Sequence, residues 1–189
     1  MTISVILASR SPRRIELLGQ LGVALEVVPA DIDETPQTNE LPVKYVERLA
    51  REKAHAIAAT HSGIVVGADT TIDIDNEIFG QPVDEHDAAR MLRRLSGRTH
   101  RVHTGVAVHS NGTVQSLVTT TLVTFVPVTD ELLRWYLETG EWQGKAGAYA
   151  IQGLGASLVE GIRGSYSNVV GLPLRETAQL LGIEPPLEG

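Results

Sequence analysis

Cysteine is absent from all 189 residues, which removes disulfides, thiolate metal ligands, iron-sulfur clusters and thiol nucleophiles together. Any metal must then be held by oxygen or imidazole. No apolar stretch approaches the roughly 18 to 20 residues of a membrane span. Three arginines fall within the first fifteen residues, so neither a transmembrane helix nor a signal peptide is expected, and the expected location is cytoplasmic. Positive charge is also in short supply. The 16 Lys and Arg stand against 23 Asp and Glu, for a net charge of -7, which argues against binding a nucleic acid polymer through its phosphates. What is present is ordinary for a globular protein, 42% hydrophobic and 21% charged residues, and a single domain over residues 1–189 is expected.

The order of apolar patterns predicts an α/β architecture, a mixed twisted sheet with flanking helices. Ile3 to Ala8 reads as a strand meeting a Ser-rich turn, and Ile15, Leu17, Leu18 and Leu21 recur at helical spacing until Gly22. Val23 to Pro29 reads as a strand, Ala30 to Pro42 as an acidic functional or mobile loop, and Val43 to about Thr60 as a long helix. Ile64 to Ala68 has the pattern of a buried strand ending at Asp69, followed by a hairpin centred on Asp75-Asn76. Asp84 caps a helix to Leu95, and Arg101 to His109 pairs with Val114 to Pro127 around Ser110-Asn111-Gly112. A helix from Thr129 to about Glu138, a strand over Ala156 to Ile162 and a helix from about Ser167 to Leu181, interrupted near Pro173, complete the order.

Three places carry chemistry. Ser11 and Pro12 form a helix start, and Arg13 and Arg14 fill its first turn with Arg10 just upstream. Cations there oppose the positive end of the helix dipole unless an anion sits among them. With Ser9, Ser11 and the free amides they make a phosphate cradle; the alternative is that they face solvent or pair with Glu16. Asp69 is a carboxylate at the end of an apolar strand, where burial is costly. Together with Asp31-Ile32-Asp33-Glu34 it can supply oxygen ligands to Mg²⁺ or Mn²⁺, the alternative being a turn cap. Asp73 and Asp75 read as solvated at a hairpin tip, and His100 and His103 as weak metal candidates on a polar strand margin. In the third place, Lys145 to Gly155, glycines let backbone approach a ligand and Tyr149 offers a stacking face. The Gln152 amide can match the carbonyl and imide N–H of uracil or thymine, or simply satisfy its own loop.

Three stretches, LASRSPRRIELLGQLG (7–22), VGADTTI (66–72) and KAGAYAIQG (145–153), resemble the Maf family, also called the septum formation inhibitor family. The likeness continues through LAREKA (49–54), MLRRLSGRTHRVHTGVAV (91–108) and GSYSNVVGLPL (164–174). The resemblance implies a two-lobed fold related to inosine triphosphate pyrophosphatases, with a cleft between the lobes. It implies divalent-metal-dependent cleavage of nucleoside triphosphates to monophosphate and pyrophosphate, with Mg²⁺ or Mn²⁺ as cofactor. On that basis Asp69 is the catalytic carboxylate, Glu34 and Asp69 hold the metal, and Ser9, Arg13, Arg14 and Lys53 bind phosphate. Arg13, Thr70 and Gln152 mark the branch acting on dTTP and UTP. The resemblance further implies a homodimer, removal of modified pyrimidine nucleotides and a link to division arrest. Two positions depart from the family pattern: Gln81 stands where a phosphate-binding Lys is common, and Gly144 where an Asp usually precedes Lys145. Two rivals stay open, a non-catalytic nucleotide-sensing regulator and a pyrophosphatase for purine or methylated nucleotides. Product analysis separates the first and a substrate panel the second.

Overall fold

The computed structural model describes residues 3–183. Strand β1 (Ser4–Leu7) leads into helix α1 (Pro12–Gly19), and β2 (Ala24–Val27) returns parallel to β1. After the acidic loop come α2 (Pro42–Ala58), β3 (Ile64–Ile74) and β4 (Glu77–Phe79). Helix α3 (Glu85–Leu95), the hairpin of β5 (Thr99–Ser110) and β6 (Thr113–Phe125), and α4 (Asp130–Glu138) follow. Two short 3-10 segments, Ala146–Ala148 and Leu154–Leu158, precede β7 (Val159–Arg163), α5 (Tyr166–Val170) and α6 (Leu174–Leu180).

The expected stop and start signals act where they stand. Asp84 accepts a 2.7 Å bond from the Asp87 amide, and Thr129 caps α4 by accepting from Leu132. Both hairpins turn on residue pairs with positive φ, Asp75-Asn76 and Asn111-Gly112, which match the twist of the strands they join. The closing helix is two helices, because Gly171 at φ 130° takes a backbone conformation open to few other residues.

The seven strands form one mixed sheet in the order β2-β1-β3-β5-β6-β7, with β4 on β3. Strand β3 does not end at Asp69 as the apolar run predicts. Its ladder with β5 is continuous from Val65 opposite His109 to Asp73 opposite Arg101, and this pairing carries the backbone straight through the carboxylate. The other edge of β3 is different. There β1 pairs only as far as Val66 and β4 begins only at Ile72, so residues 67–71 face a gap in the sheet.

Two hydrophobic clusters flank that gap. One gathers Phe79, Leu92, Phe125 and Tyr136 beneath α3 and α4; the other gathers Leu7, Leu18, Val66 and Leu172 beneath α1, α5 and α6. They are the two lobes expected. Strand alternation puts Val66, Ala68 and Thr70 on their face, and Gly67 and Asp69 on the opposite face, which α2 covers.

Longer strands also change the environment of residues read as exposed. Asp73 lies inside the ladder, not at the hairpin tip, and is only 3% exposed. It accepts from the Arg101 Nε at 2.7 Å and the Asn76 amide at 2.9 Å, and lies 3.1 Å from His103 Nε2. His100 and His103 are buried rather than marginal. His100 Nε2 meets the Tyr149 hydroxyl at 2.9 Å, and the two rings pack edge-on with Phe125. Tyr149 is therefore largely committed to the core, and little of it remains for stacking on a ligand.

Candidate active site

A cleft of about 670 Å³ enters at the gap in the sheet and draws its walls from both lobes. Every site residue named from the sequence, Ser9, Arg13, Arg14, Glu34, Lys53, Asp69, Thr70 and Gln152, lines it. Asp69 and Thr70 are neighbours on β3, so their side chains leave by opposite faces and meet different partners.

On the α2 face, Lys53 reaches between two carboxylates, 2.7 Å from Asp69 Oδ1 and 2.9 Å from Glu34 Oε1. Close packing makes this possible. A Cβ added at Gly67 or Gly105 would run into the Ala50 or Val46 carbonyl oxygen, so the two glycines let α2 lie almost on the sheet. Glu34 comes from the acidic loop, which α2 fastens at two points. The Tyr45 hydroxyl donates to the Glu34 carbonyl at 3.0 Å, and Arg48 grips Glu40 at 2.7 Å and 2.8 Å while reaching the Thr35 carbonyl. The loop is thus anchored. Burial raises the Asp69 pKa, opposed by the charges of Lys53 and Arg14. Its Oδ2 has no hydrogen-bond partner among the described residues and is left for a ligand or water.

On the other face, Arg14 donates to the Gly171 carbonyl at 2.9 Å, the Thr70 hydroxyl at 3.0 Å and the Ser9 hydroxyl at 3.3 Å. Arg13 donates to the Val170 carbonyl at 3.2 Å. Neither points freely to solvent nor pairs with Glu16. The carbonyls belong to the C-terminal end of α5, whose negative dipole end offsets the cations at the start of α1. Ser11 makes no side-chain cap; its amide donates instead to Ser9 Oγ. Burial lowers the pKa of both arginines; at Arg14 the charges of Asp69 and Glu34 oppose that shift and the charge of Arg13 adds to it.

Further residues contribute beyond those given a site role from the sequence. Lys145 and Gln81 both line the cleft, and burial and the charge of Arg13 lower the Lys145 pKa while Glu141 opposes that shift. Lys145 brings a cation to the cleft, to which Gln81 brings none. Gly144 adopts φ 66°, so the turn before Lys145 uses a conformation that glycine takes without strain. Thr104 bonds the Thr70 hydroxyl at 3.0 Å and donates to the Asn168 carbonyl, and Asn168 donates to Val102 and Thr121. Thr104 and Asn168 lie in two of the stretches that carry the resemblance, but a Thr in a Thr-rich strand and a lone Asn signal nothing by type.

Among the described residues no three His, Asp or Glu side chains come together as a metal cage. The pair Glu34 and Asp69 nevertheless suits Mg²⁺ or Mn²⁺, which fill much of their shell with water and substrate phosphate. No described helix is long and apolar enough to cross a membrane.

Known proteins resemble this chain over nearly its whole length. Residues 4–183 match the family described as Maf-like protein. A dTTP/UTP pyrophosphatase of Myxococcus xanthus is 53% identical over 178 residues, covering 94% of this chain and 90% of the relative. A dTTP/UTP pyrophosphatase of Anaeromyxobacter dehalogenans is 52% identical over 181 residues, covering 94% and 92%. Among solved structures, a HAM1 protein from Coxiella burnetii superposes with a TM-score of 0.54 at 15% identity, covering 97% of this chain and all of that one, a likeness of fold. The sheet gap, both walls of the cleft and the Lys53–Asp69 pair all fall within the matched residues, and the chain belongs to the Maf family.

Proposed function

We propose that this protein hydrolyses dTTP and UTP to the nucleoside monophosphate and pyrophosphate. The observation that carries the reading is the pairing, across one cleft, of a buried carboxylate held by Lys53 with a wall of Ser9, Arg13 and Arg14. The names of the relatives support the same substrates.

In this reading the triphosphate lies against Arg13 and Arg14, and Lys145 stands in for the charge that Gln81 lacks. Asp69 uses Oδ2 to orient water and take its proton as the water oxygen bonds the α-phosphorus. The bond from that phosphorus to the bridging oxygen breaks, and pyrophosphate leaves with its charge held by the cationic wall. Lys53 keeps Asp69 and Glu34 aimed at one point despite their mutual repulsion. A divalent cation bound by Glu34 and Asp69 would neutralise phosphate charge and polarise the reacting centre. Thr70 fixes Arg14, while Gln152, exposed on the opposite wall, reads the pyrimidine edge. In this reading the enzyme is a single-domain cytoplasmic protein and, by family analogy, a homodimer, the last of which sedimentation tests.

The deciding experiment follows pyrophosphate release from canonical, methylated and deaminated nucleoside triphosphates, with Mg²⁺, Mn²⁺ or chelator, beside Asp69→Asn. Metal-stimulated release highest on dTTP and UTP, abolished in a folded Asp69→Asn protein, is expected. Release confined to purine or methylated nucleotides would overturn the specificity. Tight nucleotide binding without release would overturn the reaction.

A further inference from the structure

Glu141 does not line the cleft, yet its carboxylate is fully engaged. Oε1 accepts from the Tyr136 hydroxyl at 3.0 Å and the Gly155 amide at 2.8 Å, and Oε2 accepts from the Leu154 amide at 2.8 Å. Those amides open the 3-10 turn Leu154–Leu158, which has no side-chain cap of its own. The Tyr136 hydroxyl also accepts from the Ala150 amide at 3.3 Å. The segment 150–155 is thereby held at both ends by one pair of side chains, with Gln152 at its crown. Gly153 confirms how close the fit is, since an added Cβ there would run into the Glu141 carboxylate.

The pair rests on a firm base. Tyr136 is wholly buried in the lobe beneath α3 and α4, and burial, then the nearby Glu141 charge, raises its pKa and keeps it a donor. We infer that Glu141, seated on Tyr136, is a positioning residue for base selection: it fixes the loop that carries Gln152 and so sets which base edge the Gln152 amide meets. The physical need is specific. A Gln amide carries a donor and an acceptor side by side and can present them to uracil and thymine or, turned over, to cytosine. Selection between them therefore depends on where the loop holds the amide relative to the base.

This inference rests on the reading of Gln152 as a specificity residue, and the test separates the two. The kcat/KM values for dTTP and dCTP are measured for the wild type, Glu141→Ala, Glu141→Gln, Tyr136→Phe, Gln152→Ala and the Glu141→Ala/Gln152→Ala pair. Amide exchange at Leu154 and Gly155 is followed in parallel. Glu141→Ala is expected to lower the dTTP/dCTP ratio about tenfold, chiefly through a higher KM for dTTP, and to speed exchange at both amides. Glu141→Gln, which keeps one acceptor oxygen, should fall between it and the wild type. In the Gln152→Ala background Glu141→Ala should leave the ratio where Gln152→Ala alone put it. An equal fall in kcat for both nucleotides with the ratio intact, or a further fall of the ratio in the double variant, overturns the inference while Gln152 keeps its role. A ratio unchanged in Gln152→Ala overturns the reading of Gln152 and, with it, the route through that residue. Should Glu141→Ala fail to fold, Glu141→Gln and Tyr136→Phe carry the same comparison.

Discussion

Arg14 illustrates how one side chain can be both structural and chemical. Its planar fork spans a backbone carbonyl and two hydroxyls that arrive from α5, β3 and the turn after β1. An ammonium has the charge but not the spread of donors. Arg14→Lys should therefore cost about 1–3 kcal/mol of stability, since buried acceptors lose their partners. Turnover should fall about tenfold or more as Thr70 and the phosphate wall shift together. Urea unfolding and pyrophosphate release measure the two effects, and a variant as stable and as active as the wild type would show that the fork does neither. The residue types at this site are legible in the sequence because each is out of place there: arginines at a helix start, a carboxylate in an apolar strand. Their partners are not. Arg14 meets Gly171 across 157 positions of sequence, a distance that no local pattern spans.

Helix α2 is the element that turns a strand into a catalytic wall. Its stripe of Val46, Leu49, Ala50 and Ala54 is buried, and its backbone lies over Gly67 at Ala50 and Ala54 and over Gly105 at Val46, where backbone nearly meets backbone. That approach delivers Lys53 to Asp69. Replacing Gly105 by Ala places a methyl group against the Val46 carbonyl, which must lift the helix at a cost of about 1–3 kcal/mol. Activity should fall with it, because Lys53 retreats as α2 rises, and a stable but fully active Gly105→Ala protein would break that link. The helix itself is legible from its period and the hairpins from their turn pairs. The extent of β3 is not, since the apolar run stops at Ala68 while the β5 ladder continues to Asp73. Tertiary pairing overrides local composition there, and for the same reason Asp73 is buried beside His103 and held by the half-exposed Arg101 although it reads as solvated.

Across the whole molecule, opposing titrations set the response to acid. Burial lowers the His100 pKa to about 4. The ring is 1% exposed, its Nε2 is occupied by Tyr149, and its Nδ1 has no partner among the described residues, so the doubly protonated ring would hold a buried, unpaired N–H at Nδ1. In the unfolded chain the same ring protonates near pH 6.5, so between that pH and about 4 the unfolded state holds the extra proton. Stability contributed by neutral His100 is therefore intact above pH 6.5 and is lost as pH falls, by up to about 3 kcal/mol. His103, lowered by burial and partly supported by Asp73, adds in the same direction. Asp69 works the other way: its raised pKa favours the folded state under acid and withdraws that support as pH rises. The histidine effect is read in the window from pH 6.5 to 4.5, where the unfolded ring takes up its proton and the folded His100 ring has not. His100→Gln keeps a polar partner for Tyr149 but cannot titrate. Urea midpoints across that window should fall more steeply for the wild type than for His100→Gln, by close to one proton in the linkage slope. Equal slopes would mean that His100 carries its proton inside the fold, and the packing of the lobe around Phe125 and Tyr149 would then have to accommodate a charge.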